Sequence, residues 1–186
     1  FASTSGIYTS GQTIPGTCGL LVSGGVVTAA SGSLSIGTNA TVTAVPATAT
    51  YEKRYVAVRA TFTTNSKAVL TLIGLTSPVL TVEVKSGNRF VATLTANNGV
   101  TSGTYYYDFG QGSYTSTVSD MLIELCFQEV AAGKFIVVAA IPFLNWSYSM
   151  VSASIGSGAF SLKAEQRALS VTSVEQSYHL QSFGEC

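Results

Sequence analysis

The chain has 186 residues, of which 46% are hydrophobic and only 10% are charged, and its formal net charge is zero. This length suits one domain with a sizeable core, and the absence of a basic excess argues against nucleic acid and anionic membranes as partners. The apolar run at residues 135–142 is far shorter than the roughly 20 residues that a membrane-spanning helix needs.

Residues 1–16 differ in composition from the rest of the chain, because small polar residues separate sparse apolar ones that include Phe1, Ile7 and Ile14. This composition predicts an extended N-terminal arm that finds a partner surface, and the alternatives are an arm that stays mobile or one that pairs within its own sheet. Phe1 and Ile7 are an even number of residues apart and share one face of an extended segment, whereas Ile14 requires a bend near Gly11.

The chain begins with Phe1 and not with Met. We interpret this start as the result of leader removal, which predicts secretion to the cell surface or the extracellular medium. Two Asn-X-Ser/Thr sequons, at Asn39 and Asn145, are then candidate glycosylation sites.

Three cysteines, Cys18, Cys126 and Cys186, allow one disulfide in any of three pairings. An oxidising compartment favours a bridge, and we expect Cys18 to pair with Cys126 more readily than with Cys186. Buried thiols and an intermolecular bridge through Cys186 are the alternatives.

Hydrophobic and polar residues alternate in five successive segments of the first half of the chain, as in half-buried strands. Turn-forming Gly, Asn and Pro residues separate these segments. The five predicted strand segments are 33–45, 55–64, 67–75, 79–85 and 89–96.

The second half continues the strand pattern, with two places where a helix is conceivable. Asp120 could cap a helix over residues 120–132, but Ile123 and Leu125 alternate with polar residues there, and we expect a strand. Residues 163–168 are good helix formers and could make a short helix. The segments in this half are 104–109, 121–129, 134–141, 144–155 and 160–174.

These elements predict an all-β fold, a single antiparallel β-sandwich of jelly-roll or Greek-key type, with the arm at its N-terminus. The sandwich occupies residues 17–186 and has about 8 to 11 strands.

Titratable residues are too scarce to build a catalytic site. His179 is the one histidine, and nothing near it in the sequence suggests a partner base or nucleophile. Glu83 and Glu124 lie on the polar faces of their strands, which indicates solvation. No cluster has the spacing of metal ligands, so the sequence predicts no metal, no cofactor and no enzymatic activity.

An aromatic cluster follows the fifth predicted strand and includes Tyr105, Tyr107 and Tyr114. Tyrosine offers an apolar ring with a polar tip, so this cluster is a candidate interface for a sugar ring or another subunit. The alternative is that alternate tyrosines pack inward and the others cover an edge strand.

The arm at residues 1–16 and the charge-poor, hydroxyl-rich composition resemble the β-sandwich subunits of extracellular filaments, the TasA-like and archaeal bundling-pilus type. This resemblance implies a cell-surface homopolymer in which each subunit donates a strand to its neighbour, with Phe1, Ile7 and Ile14 as the anchors of the donated arm.

Two other functions remain open from the sequence. A capsid-type viral or phage protein would use a sandwich of this size to build a shell. A carbohydrate-binding module or lectin would use the tyrosine cluster to hold glycans. A type IV pilin is disfavoured, because residues 1–16 do not form a long apolar helix.

Overall fold

Sixteen strands and one turn of 3-10 helix make up the described part of the chain in the computed structural model. The structure describes residues 5–17, 19–30, 32–44, 53–72, 78–97, 102–110, 117–131, 134–153 and 159–179. The strands are β1 Gly6–Thr9, β2 Thr13–Ile14, β3 Leu20–Ser23, β4 Val26–Ala30, β5 Ser33–Ile36, β6 Thr41–Ala44, β7 Lys53–Thr63, β8 Lys67–Leu72, β9 Val79–Lys85, β10 Arg89–Asn97, β11 Ser102–Asp108, β12 Thr117–Ala131, β13 Lys134–Ile141, β14 Trp146–Ala153, β15 Phe160–Glu165 and β16 Leu169–His179. The 3-10 turn, Pro142–Leu144, joins β13 to β14.

These strands form two antiparallel sheets of eight strands each. Sheet I has the order β1-β4-β5-β16-β7-β12-β13-β14, and sheet II has the order β11-β10-β9-β8-β15-β6-β3-β2. The two sheets pack face to face, so the predicted antiparallel β-sandwich is confirmed.

Alternation along each strand builds the core. In β8 and β9 every second residue is buried, and the inward set includes Leu70, Leu80 and Val82. Phe62 of sheet I and Phe90 of sheet II are both buried, and their rings meet across this interior with centroids 6.5 Å apart. The alternation of apolar and polar residues in the sequence therefore corresponds to the buried and exposed faces of these strands.

The segment predicted as one strand over residues 33–45 is two strands in different sheets. β5 belongs to sheet I and β6 to sheet II, with the chain crossing between them after Gly37. The Gly37 amide donates to the carbonyl oxygen of Val26 at 2.9 Å, and a Cβ at this position would lie 2.6 Å from that oxygen. Only glycine permits this approach, so the crossover occurs here.

Residues 6–14 depart from the predicted arm because they complete the chain's own sheets. β1 pairs with β4, with Ile7 opposite Thr28, and β2 pairs with β3. The expected bend is present, since Gly11 has a φ of +88°. The bend carries the chain from sheet I to sheet II and buries Ile14 completely.

The remaining differences concern strand length and number. Residues 117–131 form one long strand, β12, as favoured by the alternation, whereas the short helix considered at 163–168 is wrong because β15 occupies residues 160–165. Pairing on both sides, with β6 and β8, outweighs the helix propensity of this segment. The described residues hold more strands than the 8 to 11 expected, because short strands near the N-terminus carry too few residues for a periodic pattern.

Candidate functional site

The tyrosines of β11 lie at the edge of sheet II and divide into a packing set and an exposed set. The ring of Tyr105 stacks on that of Tyr148 in β14, with ring centroids 3.5 Å apart and planes 6° from parallel. Because β11 and β14 belong to different sheets, this pair closes one side of the sandwich. Tyr105 therefore has a packing role.

Tyr106 and Tyr107 are the exposed rings of this edge. Tyr107 is 41% exposed and meets Phe109 edge-on at 4.6 Å between centroids, while Tyr106 is 52% exposed on the opposite face of the strand. Beside them, Arg89 Nε donates to Asp108 Oδ1 at 2.9 Å, and the Gly110 amide donates to the same oxygen at 2.9 Å. Tyr106, Arg89 and Asp108 share one face of the sheet edge, and we call these three residues the β11 edge site.

Electrostatics at the β11 edge site keep Asp108 ionised. The backbone hydrogen bond from Gly110 and then the contact with Arg89 lower the pKa of the Asp108 carboxyl, and the contact with Asp108 raises the pKa of Arg89. Sequence analysis selected Tyr105 and Tyr107 from an aromatic cluster that also contains Tyr106, whereas Tyr106 is the most exposed of the three rings. Strand alternation alone places Tyr106 on the outer face, but the alternation does not show that this face is exposed to solvent at the sheet edge.

Several of the selected residues lie outside the described residues, namely Phe1, Cys18, Cys186 and Tyr114. Cys126 is half-buried on the outer face of β12, with its Sγ 3.8 Å from the carbonyl oxygen of Phe127. The disulfide between Cys18 and Cys126 therefore stays a prediction.

Both sequon asparagines are at the surface in left-handed turns. Asn39 has a φ of +65° between β5 and β6, and Asn145 has a φ of +49° at the end of the 3-10 turn. Both side chains are exposed, and their glycosylation stays a prediction.

The carboxylates considered as catalytic candidates have local partners. Glu124 is half-buried and accepts a hydrogen bond from the hydroxyl of Tyr55, and Glu83 lies 3.1 Å from the amide nitrogen of Gln166. Within the described ranges, no three His, Cys, Asp or Glu side chains come together as a metal site. No helix among the described residues is long and apolar enough to cross a bilayer.

The two edges of sheet I present a second type of surface. Ile7 on β1 is 68% exposed and Val151 on β14 is 57% exposed, and each has an exposed β-branched residue on the adjacent strand, Val26 and Ile136. All four lie on the outer face, since the buried residues of these strands alternate with them. Each edge of sheet I therefore carries one pair of exposed apolar side chains on its outer face.

Neither edge strand of sheet I carries a feature that prevents edge pairing. β1 (GIYT) and β14 (WSYSMVSA) contain no charged residue and no proline, although proteins usually place Lys, Pro or bulges on open edges. Sheet II is different, because β2 is only two residues long and β11 carries Asp108 in an ion pair. In the part of the chain that the structure describes, no strand pairs with the outer side of β1 or of β14, and we call these two strands the open edges of sheet I.

No family model and no curated protein matches the chain. Among solved structures, the binding domain of botulinum neurotoxin serotype D is similar, with a TM-score of 0.52 and 8% identity over 94% of this chain and 47% of that one. The receptor-binding domain of botulinum neurotoxin D gives a TM-score of 0.50 and 8% identity over 94% of this chain and 49% of that one. The chain spans about half the length of these structures, and the likeness shows the fold alone.

Proposed function

We propose that the chain is a non-catalytic structural subunit that assembles with copies of itself at the cell surface through the open edges of sheet I. The observation that carries this proposal is that both edge strands of that sheet are uncharged, free of proline and flanked by exposed apolar residues on the same face.

Edge pairing supplies two sources of stability. Main-chain N–H and C=O groups of one edge hydrogen-bond to those of the next copy. Side chains such as Ile7 and Val151 come into lateral contact on the outer face at the same time and lose part of their solvent exposure. Each therefore contributes a fraction of the roughly 1.5 to 3 kcal/mol that full burial of an aliphatic side chain supplies. The formal net charge of zero removes long-range repulsion between copies.

The filament resemblance implies that residues 1–16 are donated to the sheet of a neighbouring copy. The assembly proposed here differs because this segment does not have to leave its own chain. In the structure β1 already pairs with β4 of its own chain. The assembly we propose therefore adds one completed sheet to the edge of another, and it needs no exchanged arm.

The test compares two lysine substitutions at equally exposed valines. Val151 lies on an open edge and is 57% exposed, whereas Val130 lies on β12 and is 56% exposed. Sedimentation velocity over a range of concentrations, with negative-stain electron microscopy of the same samples, should show polymers for the wild type and for Val130→Lys. Val151→Lys should remain monomeric.

Three outcomes contradict the proposal. The first is a wild-type protein that stays monomeric at every concentration. The second is equal polymerisation of Val151→Lys and Val130→Lys. The third is closed shells in the micrographs, which would favour a capsid-type protein. Circular dichroism of each variant establishes that the fold is retained.

A second candidate function, glycan recognition, is favoured by the β11 edge site. Tyr106 offers an exposed ring, and Arg89 and Asp108 beside it provide charged hydrogen-bonding groups, which is the combination that sugar rings use. Binding of the protein to an array of immobilised oligosaccharides should be lost in Tyr106→Ala. It should persist in Phe143→Ala, which removes an equally exposed aromatic ring elsewhere. A wild-type protein that binds none of the oligosaccharides would dismiss this function.

A further inference from the structure

We infer that the assembly contact is head-to-tail, with β1 of one copy adding in antiparallel orientation to β14 of the next so that Ile7 faces Val151. This inference rests on the proposed self-assembly and specifies which surfaces meet. The partner is a second copy of this chain.

The two edges cannot meet within one copy. They are the first and last of eight strands, and neighbouring strands lie about 4.8 Å apart, so the edges are separated by about 34 Å. Any surface that covers an edge of sheet I must come from outside the sheet. The sheet itself offers the matching surface at its other end.

The exposed apolar residues of the two edges match in position. Ile7 on β1 stands opposite Thr28 of β4 on the outer face. Val26 lies on the same face of β4, two residues before Thr28. Val151 stands directly opposite Ile136, also on the outer face. A continuous sheet would bring these four side chains, now separated into two exposed pairs, into one apolar cluster.

The antiparallel orientation follows from the strand order, since eight strands that are each antiparallel to their neighbours leave β1 and β14 running in opposite directions. The register with Ile7 opposite Val151 agrees with the side-chain alternation. With Ile7 opposite Val151, the next pair along the strands is Tyr8 with Met150, and both of these side chains point to the inner face. Outer-face residues then meet outer-face residues and inner-face residues meet inner-face residues, as sheet pairing requires.

The pairing extends over the first part of β1 and stops at Thr9. The Thr9 amide donates to Oε1 of Gln12 at 2.6 Å, and the Gln12 amide donates to the Thr9 carbonyl oxygen at 3.0 Å. The main-chain N–H and C=O groups of Thr9 are therefore already hydrogen-bonded to Gln12 and do not take part in edge pairing. The open part of the edge is Gly6–Tyr8, which is centred on Ile7.

Symmetric alternatives cover less apolar surface. When β14 pairs with β14 of another copy, the two seven-residue overlaps that match outer face to outer face have Ser149 or Met150 at the two-fold axis. Val151 then faces Ser147 or Ser149, while Ile7 stays exposed. When β1 pairs with β1, Val151 stays exposed. The head-to-tail contact alone brings both of these side chains into an apolar contact, and such a contact continues from copy to copy as a fibre.

The experiment mixes two variants that each block one edge. Ile7→Lys blocks the β1 edge and Val151→Lys blocks the β14 edge, because an ammonium is poorly tolerated in an apolar contact. Each variant alone should be monomeric, with self-association at least about tenfold weaker than in the wild type. A one-to-one mixture should form a dimer that grows no further, because one intact β1 edge and one intact β14 edge remain in the mixture.

Other outcomes overturn the inference and are distinguishable from failure of the proposed function. If Ile7→Lys polymerises or dimerises alone and the mixture gains no new species, the contact is β14 with β14. If Val151→Lys does so, the contact is β1 with β1. If the wild type does not assemble, the proposed function itself is wrong. Leu21→Lys, at an exposed apolar position of sheet II, is the control for an added lysine.

Discussion

Tyr55 is the side chain whose ionisation is most clearly set by the fold. It lies on β7, half-buried on the outer face of sheet I, and its hydroxyl donates to a carboxylate oxygen of Glu124 on β12. Burial first, and then the hydrogen bond and charge of Glu124, raise the pKa of Tyr55 to about 12. A central sheet position therefore holds a phenol that stays protonated in moderately alkaline solution.

Tyr55 should make the folded protein sensitive to alkali. Its pKa is raised above the ordinary tyrosine value of 10.0, so its contribution to stability is complete below pH 10 and is lost as the pH rises towards 12. The free energy of unfolding of the wild type should fall over this interval more steeply than that of Tyr55→Phe. Chemical denaturation at a series of pH values measures the difference.

Glu124→Gln is the matched variant for this prediction. It keeps an acceptor for the phenol but removes the negative charge, so the pKa of Tyr55 should move towards 10.0. Titration of phenolate absorbance should show less late-titrating absorbance in Tyr55→Phe than in the wild type. Identical titrations of the wild type and both variants would contradict the assignment.

At the scale of elements, β1 and β2 show how one short segment serves two sheets. β1 joins the edge of sheet I and β2 joins the edge of sheet II, with the turn at Gly11 between them. This segment closes one side of the sandwich, as the stack of Tyr105 on Tyr148 does at the other. Ile14 anchors it in the core, whereas Ile7 remains on the surface.

Replacing these two isoleucines by alanine should lower the free energy of unfolding by very different amounts. Ile14→Ala removes a fully buried side chain and should cost about 2 to 5 kcal/mol of unfolding free energy. Ile7→Ala, at a position that is 68% exposed, should change it by less than about 0.5 kcal/mol. Urea denaturation of dilute, monomeric protein measures both.

Equal effects of the two substitutions would contradict the described placement of β2. A large effect of Ile7→Ala alone would mean that β1, and not β2, holds the segment to the sandwich. Val22→Ala, on the strand that pairs with β2 and also fully buried, should resemble Ile14→Ala.

At the scale of the whole molecule, the sandwich combines a large apolar interior with a surface that has few charges. The ion pairs of the described residues are concentrated on the outer face of sheet II, where Glu165 contacts Lys67 at 2.8 Å and Lys163 at 2.9 Å. These lysines lower the pKa of Glu165. The open edges of sheet I have no comparable charges, so the two sheets differ in their tendency to associate.

Self-assembly should therefore make thermal stability depend on concentration. A contact that exists only between folded copies stabilises the folded state by mass action, so the wild-type melting temperature should rise with protein concentration. In Val151→Lys it should be independent of concentration. Calorimetry over a hundredfold range of concentration tests this, and a constant wild-type melting temperature would contradict it.

Sequence analysis was most reliable where one strand face is buried and the other is solvated. Segments such as 79–85 and 89–96 coincide closely with β9 and β10, because alternation with period 2 directly records which side chains face the core. The same rule selected strand over helix for residues 120–132. The fold class followed from these repeated patterns.

Sequence analysis was least reliable where the decision depended on residues distant in the chain. The split at Gly37 is fixed by the carbonyl of Val26, eleven residues earlier, and the apolar pattern runs through it without interruption. The exposure of Tyr106 and the positions of the open edges depend on strand order, which alternation does not encode.

The sequence by itself determined the fold class, the inward faces of the long strands and the scarcity of catalytic groups. Only the tertiary structure decided which strands are central and which are edges, and so which apolar residues remain exposed. The physical reason is that burial along a strand is a local property of alternating side chains, whereas an edge is defined by the absence of a neighbouring strand, which only the complete arrangement of the described sheets reveals.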